Sequence, residues 1–171
     1  RNCRFFYEKG DSTIIVIEND PQRRTVKLAS NLISGESSNT PQRKMLPFPY
    51  VIYVFHIKNN RLCNSYIGWR STPLMRIGDK LARPLLPNCH HTLEICWGAS
   101  QIPVGSSITE ICENAISQYW SSEFNRDLSE QWISRPQELQ NIQAWSNKTS
   151  LDMLSLDYSS QYDATIENKI N

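Results

Sequence analysis

One pair of strands constrains the fold of this chain more than any other feature of its sequence. Residues 49–57 carry β-branched and aromatic side chains almost without interruption, and Asn59-Asn60 separate them from residues 61–69. Asparagine tolerates the left-handed backbone conformation that tight hairpin turns require. The sequence therefore predicts a central antiparallel hairpin, to which further strands add.

The first third of the chain predicts more strands. Residues 5–7 and 12–17 flank the turn residues at 9–11, and the turn at 19–21 leads into residues 24–28, where polar and apolar side chains alternate. These segments predict an antiparallel meander. Residues 34–42 are too polar to pack and predict a loop that separates two parts of one sheet.

The pattern changes to helical spacing after residue 105. Ser107 and Glu110 have the form of a capping box, which predicts a helix that continues to about Trp120. Apolar residues recur at the spacing of one helix face: Ile108, Ile111, Cys112, Ala115, Ile116 and Tyr119. Further helical turns are predicted within residues 136–145. The fold class is thus predicted to be α+β, with an antiparallel meander followed by helices.

Length and charge place limits on organisation and partners. A chain of 171 residues fits one domain, which we assign to residues 1–158, and residues 159–171 predict a polar C-terminal tail. The 18 basic and 17 acidic residues nearly balance, so the net charge gives no specific signal for nucleic acid or an anionic membrane. The longest apolar runs fall far short of the ~20 residues that span a bilayer, so no membrane partner is expected.

The cysteines favour reduced thiols. Their number is five, which is odd, and they follow no regular framework, so we expect a cytoplasmic protein without disulfides. The cluster Cys89, His90, His91 and Cys96 suggests zinc, yet it lacks the paired Cys-x-x-Cys spacing of structural sites. We therefore expect no metal ion and no other cofactor. The five tryptophans are expected to fill the interface between sheet and helix, because no basic stripe accompanies them.

A short motif in residues 86–98 is typical of a known chemistry. Pro87-Asn88 precede Ile95-Cys96, so that Asn88 lies eight positions before Cys96. Because strand signals end before residue 86 and helical signals begin after residue 105, Cys96 is predicted to follow the last strand, outside its hydrogen-bonded ladder. This interval resembles that of ubiquitin-conjugating enzymes, and the order of strands, extended segment and helices is similar too. The ending Cys96-Trp97-Gly98 and the segment at residues 120–125 look most like divergent prokaryotic members, which plasmids and phage-like elements encode beside ubiquitin-like modifiers and activating enzymes.

The resemblance implies a fold, a reaction and partners. It implies a ubiquitin-conjugating-enzyme-like core in which Cys96 accepts a ubiquitin-like modifier as a thioester from an activating enzyme and passes it to an amine. A thiolate is the nucleophile, and the side-chain amide of Asn88 is the candidate donor to the oxyanion that forms. Leu86 stands where the family has histidine, and no helix is predicted before the first strand, where the family docks its activating enzyme.

Two other classes of function stay open from the sequence. The same scaffold could be a non-catalytic interaction module that binds a modifier or a component of a plasmid or phage assembly. It could also be a structural protein of a mobile element in which Cys96 is a small buried apolar residue. Asn88 alone would more often be a turn residue than a catalytic one. The solvent accessibility of the Cys96 sulfur separates the structural protein from the other two.

Overall fold

Strands dominate the fold. This computed structural model describes residues 2–32, 40–125, 128, 142–156 and 162–170. The strands are β1 (Asn2–Lys9), β2 (Ser12–Asn19), β3 (Gln22–Leu28), β4 (Gln42–Phe48), β5 (Tyr50–Lys58), β6 (Arg61–Arg70), β7 (Lys80–Ala82), β8 (Glu123–Phe124) and β9 (Tyr162–Thr165). The α-helices are α1 (Ile108–Ser121), α2 (Ile142–Ser146) and α3 (Glu167–Ile170), and 3-10 turns form at Ser30–Leu32 and Asp152–Leu154.

Six strands form the larger sheet, in the order β1-β2-β5-β6-β7-β9, and all of its neighbouring pairs are antiparallel. β5 lies between β2 and β6, so both of its edges are hydrogen-bonded, and nearly all of its side chains are buried, as expected for a strand that is covered on both faces. The α+β class with mostly antiparallel strands, which the sequence predicts, is confirmed.

The predicted central hairpin is β5 and β6. The two strands pair from Tyr50 opposite Arg70 to Lys58 opposite Arg61. Asn59 and Asn60 have φ values of 50° and 55°, the left-handed conformation that a two-residue hairpin turn requires. This part of the prediction is confirmed, because turn chemistry and strand propensity agree locally.

The single continuous meander predicted from the sequence is wrong. β3 leaves the larger sheet and pairs with β4, and these two strands form a second sheet with the short β8 in the order β4-β3-β8. The β3–β8 pairing is parallel. The physical reason is competition for an edge, because β5 pairs with β2 from Ser12 to Asn19 and leaves no place there for β3. The segment between β3 and β4 therefore joins two strands of the second sheet. Of the loop predicted over residues 34–42, Gln42 belongs to β4 and residues 34–39 lie outside the described residues.

Helix α1 agrees with its predicted bounds to within two residues. Ser107 is the N-cap, and its hydroxyl accepts a hydrogen bond from the backbone N–H of Glu110 at 3.2 Å. The Glu110 carboxylate does not close the predicted box, because it accepts from the N–H and hydroxyl of Ser106 instead. The predicted apolar face is buried apart from Ile108, which is partly exposed. Of the helical turns predicted within residues 136–145, residues 136–141 lie outside the described residues, and α2 begins at Ile142.

Aromatic side chains join the two sheets and α1 into one core. Phe48 of β4 makes edge contacts with Trp69, Trp120 and Trp145, with ring centroids 4.8–5.6 Å apart. These three tryptophans fill the interior, as predicted for the sheet and helix interface, whereas Trp97 is half-buried and Trp132 lies outside the described residues. In the parts of the chain that the structure describes, every helix is too short or too polar to serve as a bilayer-spanning segment.

The C-terminal part of the chain belongs to the larger sheet. β9 pairs antiparallel with β7, and Ile166 is fully buried just beyond β9. The prediction that residues 159–171 form a polar tail outside the domain is therefore wrong for residues 162–166. The reason is that one buried isoleucine and a short strand supply the packing that a mainly polar composition does not indicate.

Candidate functional site

The residues singled out by the sequence motif form the two ends of a tight loop. The backbone N–H of Cys96 donates to the carbonyl of Asn88 at 2.9 Å, and an antiparallel bridge follows between Cys89 and Ile95. The N–H of His90 donates to the carbonyl of Glu94 at 2.8 Å. The interval of eight positions between Asn88 and Cys96 is therefore the length of one loop that closes on itself.

The loop is fixed to the edge of β6. The N–H of Ile95 donates to the carbonyl of Ser65 at 2.8 Å, and the N–H of Ile67 donates to the carbonyl of Leu93 at 2.9 Å. Leu93 and Ile95 are buried, so apolar packing reinforces these two bonds. Cys96 thus follows an anchored segment and lies outside the named strands and helices, as predicted. The prediction that it follows the last strand is wrong, because β8 and β9 come after it.

Asn88 combines a left-handed backbone conformation with a side-chain amide that donates two hydrogen bonds. Its φ of 68° lies in the left-handed region, which asparagine tolerates better than most residues do. Its Nδ2 donates to the Ser122 hydroxyl at 3.1 Å and to the Glu123 carbonyl at 3.0 Å. The amide therefore ties the Cys96 loop to the end of α1.

Trp97 and Gly98 direct the chain away from the thiol. The indole Nε1 of Trp97 donates to the hydroxyl of Ser65 at 3.1 Å, and Ser65 is buried in β6. Gly98 has a φ of 58°, a conformation that costs glycine little because it lacks a Cβ. The Cys96 side chain is held between two anchored neighbours, Ile95 and Trp97.

A cleft of about 350 Å³ opens beside Cys96. The Cys96 loop and the following residues form one wall, and the end of α1 with β8 forms the other. The lining residues are Asn88, Cys96, Trp97, Gly98, Ala99, Ser100, Gln118, Tyr119, Ser122, Glu123, Asn125 and Leu128. Cys96 forms no disulfide and is half-buried, whereas Cys89 and Cys112 are buried.

Tyr119 contributes to this cleft although the sequence indicated only a core position for it. Its hydroxyl is buried and has no hydrogen-bond partner within the described part of the chain. Burial holds the pKa of the phenol well above its usual value, and the neighbouring Cys89 adds to this effect. The phenol therefore stays neutral and keeps its proton. The sequence signal that could have indicated this position is that Tyr119 lies on the predicted helix directly before the segment at residues 120–125.

The cysteine and histidine cluster does not gather into a metal site. Cys89 is buried, with its thiol 3.3 Å from the carbonyl of His90, while His91 is exposed. No three His, Cys, Asp or Glu side chains come close enough to hold a metal ion in the described ranges between residues 2 and 170. None of the five cysteines forms a disulfide.

Comparisons of the chain with models of protein families, with curated proteins and with solved structures gave no match in any of the three. The resemblance at Pro87-Asn88 and Ile95-Cys96 therefore stays a prediction. The structure adds local geometry. Cys96 is half-buried, its backbone N–H donates a hydrogen bond to the carbonyl of Asn88, and both residues line the same cleft.

Proposed function

We propose that this chain is a ubiquitin-conjugating-enzyme-like acyl transferase in which Cys96 accepts a ubiquitin-like modifier as a thioester. The observation that carries the proposal is the placement of the free, half-buried Cys96 in a cleft of about 350 Å³ that Asn88 also lines. A thiol acceptor must be reachable yet fixed in position, and Cys96 meets both requirements. The proposal includes a cytoplasmic location, where such a thiol stays reduced.

The reaction is a pair of acyl transfers. The Cys96 thiolate attacks the carbonyl carbon of a modifier thioester on an activating enzyme, and the activating enzyme's thiolate leaves with the electron pair of the broken C–S bond. An amine then attacks the new thioester, an amide bond forms, and the Cys96 thiolate leaves. The proton lost by the amine passes to solvent or to the departing thiolate.

Asn88 is proposed to stabilise the oxyanion of the second transfer, which forms when the amine attacks the Cys96 thioester. The amide now donates to Ser122 and Glu123, so one of these bonds must break before the amide can donate to an oxyanion. Such exchange is compatible with catalysis, since catalytic hydrogen bonds often form only in the reacting complex. The two acceptors line the same cleft as Asn88 and Cys96.

A second candidate function is a non-catalytic interaction module. The observation that favours it is the same pair of hydrogen bonds from Asn88, because they give this side chain a complete structural role without any substrate. In this alternative the cleft binds a modifier or another protein of the same assembly, and Cys96 does not become acylated.

A charging experiment separates these two functions. The chain is incubated with a ubiquitin-like modifier, its activating enzyme and ATP, and a larger species that thiol reductant removes is expected. Cys96→Ala should abolish this species, whereas the matched control Cys63→Ser should keep it, because Cys63 is an exposed thiol outside the cleft. Charging that survives in Cys96→Ala would refute the assignment. Modifier binding without charging would support the interaction module.

A further inference from the structure

A second cleft, of about 370 Å³, lies where the second sheet meets α1. Three basic residues line it, together with hydroxyl and aromatic side chains, and no acidic residue is among those lining it in the described part of the chain. The lining residues are Arg24, Thr25, Val26, Lys27, Arg43, Ile116, Ser117, Trp120 and Ser121. The whole chain has a net charge of only +1, so the three basic residues at this cleft are a local concentration of positive charge.

Two of the three basic side chains are held by neighbouring side chains. The Arg24 guanidinium lies 4.7 Å from the centroid of the Trp120 ring, which is a cation–π contact. The Trp120 ring is itself fixed, because its Nε1 donates to the Tyr53 hydroxyl at 2.6 Å. Lys27 is held by Glu123, with Nζ 2.9 Å from the carboxylate. Arg43 stands opposite Lys27 in the β3–β4 ladder and is exposed.

We propose that this cleft binds a small ligand that carries phosphate groups. Planar guanidinium groups match the oxygen geometry of phosphate, and Arg24 and Arg43 supply two of them, while the hydroxyl groups of Thr25 and Ser117 can donate further hydrogen bonds. A volume of about 370 Å³ lies within the range of small-molecule sites, which favours a small ligand over a peptide segment. The site goes beyond the proposed acyl transfer and does not require Cys96.

The test is a titration of the chain with inorganic pyrophosphate, in which binding is measured by calorimetry and by changes in the amide NMR signals. Saturable binding is expected that weakens as salt rises, with shifted signals in β3 and around residues 116–121. Parallel titrations with inorganic phosphate and ATP distinguish a bare phosphate from a nucleotide as the source. A poly-glutamate peptide tests the acidic-segment alternative.

Three variants make the test specific. Arg43→Ala should weaken pyrophosphate binding about tenfold or more, because it removes a charged donor. Arg61→Ala is the matched control, since it removes an exposed arginine at the β5–β6 turn and should change binding less than about twofold. Lys27→Gln is a second variant should Arg43→Ala fold poorly, and it should also weaken binding.

Three results would overturn the proposal: no saturable binding of any phosphate compound, equal weakening by Arg43→Ala and Arg61→Ala, or binding of poly-glutamate alone. Repeating the titration with Cys96→Ala separates this site from the acyl transfer. Unchanged pyrophosphate binding in that variant is expected, and its loss would show that the basic cleft does not act independently of the thiol cleft.

Discussion

At Asn88 a backbone requirement and a side-chain role fall on one residue. Replacement by alanine would change both, because alanine is strained at a φ of 68°. Glycine adopts this conformation freely, so Asn88→Gly removes the amide alone. If the amide donates to the oxyanion, this variant should charge normally but transfer the modifier to amines about 10²–10³-fold more slowly, as measured in a single-turnover discharge assay.

Ser122→Ala is the matched control for Asn88. It removes one acceptor of the Asn88 amide without removing the donor, so discharge should not slow. Equal discharge rates for the wild type and Asn88→Gly would leave Asn88 with its turn role only. They would not affect the assignment of Cys96.

Cys112 differs from Cys96 in its surroundings, and this difference predicts a pH effect. Burial raises the pKa of the Cys112 thiol to about 12. Because the folded-state pKa lies above the ordinary value, the unfolded chain loses this proton first as pH rises. The stability contribution of the neutral thiol is therefore complete below about pH 9 and is lost towards about pH 12.

Cys112→Val should flatten this part of the stability profile. Urea unfolding of the wild type and the variant at about pH 8 and about pH 10.5 measures the difference, and the wild type should lose more stability over that interval. A variant that loses as much stability as the wild type would show that Cys112 is not responsible. Cys112 should also react with alkylating reagents more slowly than the half-buried Cys96.

The C-terminal strand makes a testable contribution at the scale of an element. Ile166 is fully buried beside β9, so Ile166→Ala should lower the free energy of unfolding by about 2–5 kcal/mol. Leu151→Ala is the control, because Leu151 is 75% exposed and its truncation should change stability by less than about 0.5 kcal/mol. Equal effects of the two variants in urea unfolding would contradict the docked C-terminal strand.

Sequence reasoning succeeded for elements whose signals are local. The β5–β6 hairpin was predictable because Asn59 and Asn60 mark its turn, and α1 was predictable because Ser107 marks its start. β4 was missed because Pro47 and the charged residues at its beginning interrupt the alternating pattern of a strand. The prediction of a polar tail was wrong because the buried Ile166 and the pairing of β9 with β7 hold this segment against the larger sheet.

Long-range pairing accounts for most of what could not be predicted. Nothing local in β3 indicates that β5 takes the edge of β2, so the second sheet had no sequence signal. The same holds in the candidate site. The interval of eight positions singled out Asn88 and Cys96, but it did not predict the closed loop between them. The hydrogen bonds of Asn88 with Ser122 and Glu123 were not predicted either, because they join residues 34 and 35 positions apart.

The whole molecule is predicted to unfold as one domain. Phe48 contacts tryptophans from β6, α1 and α2, so both sheets share one core. Urea unfolding followed by tryptophan fluorescence and by circular dichroism should give coincident transitions. Phe48→Ala should shift both together and lower the free energy of unfolding by about 3–5 kcal/mol. Separate transitions for the two signals would contradict a single domain.

The most direct test of the central claim is the chemistry of the bond that Cys96 forms. Charging of Cys96→Ser with a ubiquitin-like modifier, its activating enzyme and ATP should give an oxyester, which resists thiol reductant and is cleaved by alkali, where the wild type gives a reductant-sensitive thioester. Mass spectrometry of the charged variant should place the acyl group on residue 96. A reductant-sensitive species in Cys96→Ser, or an acyl group on any other residue, would contradict Cys96 as the acceptor.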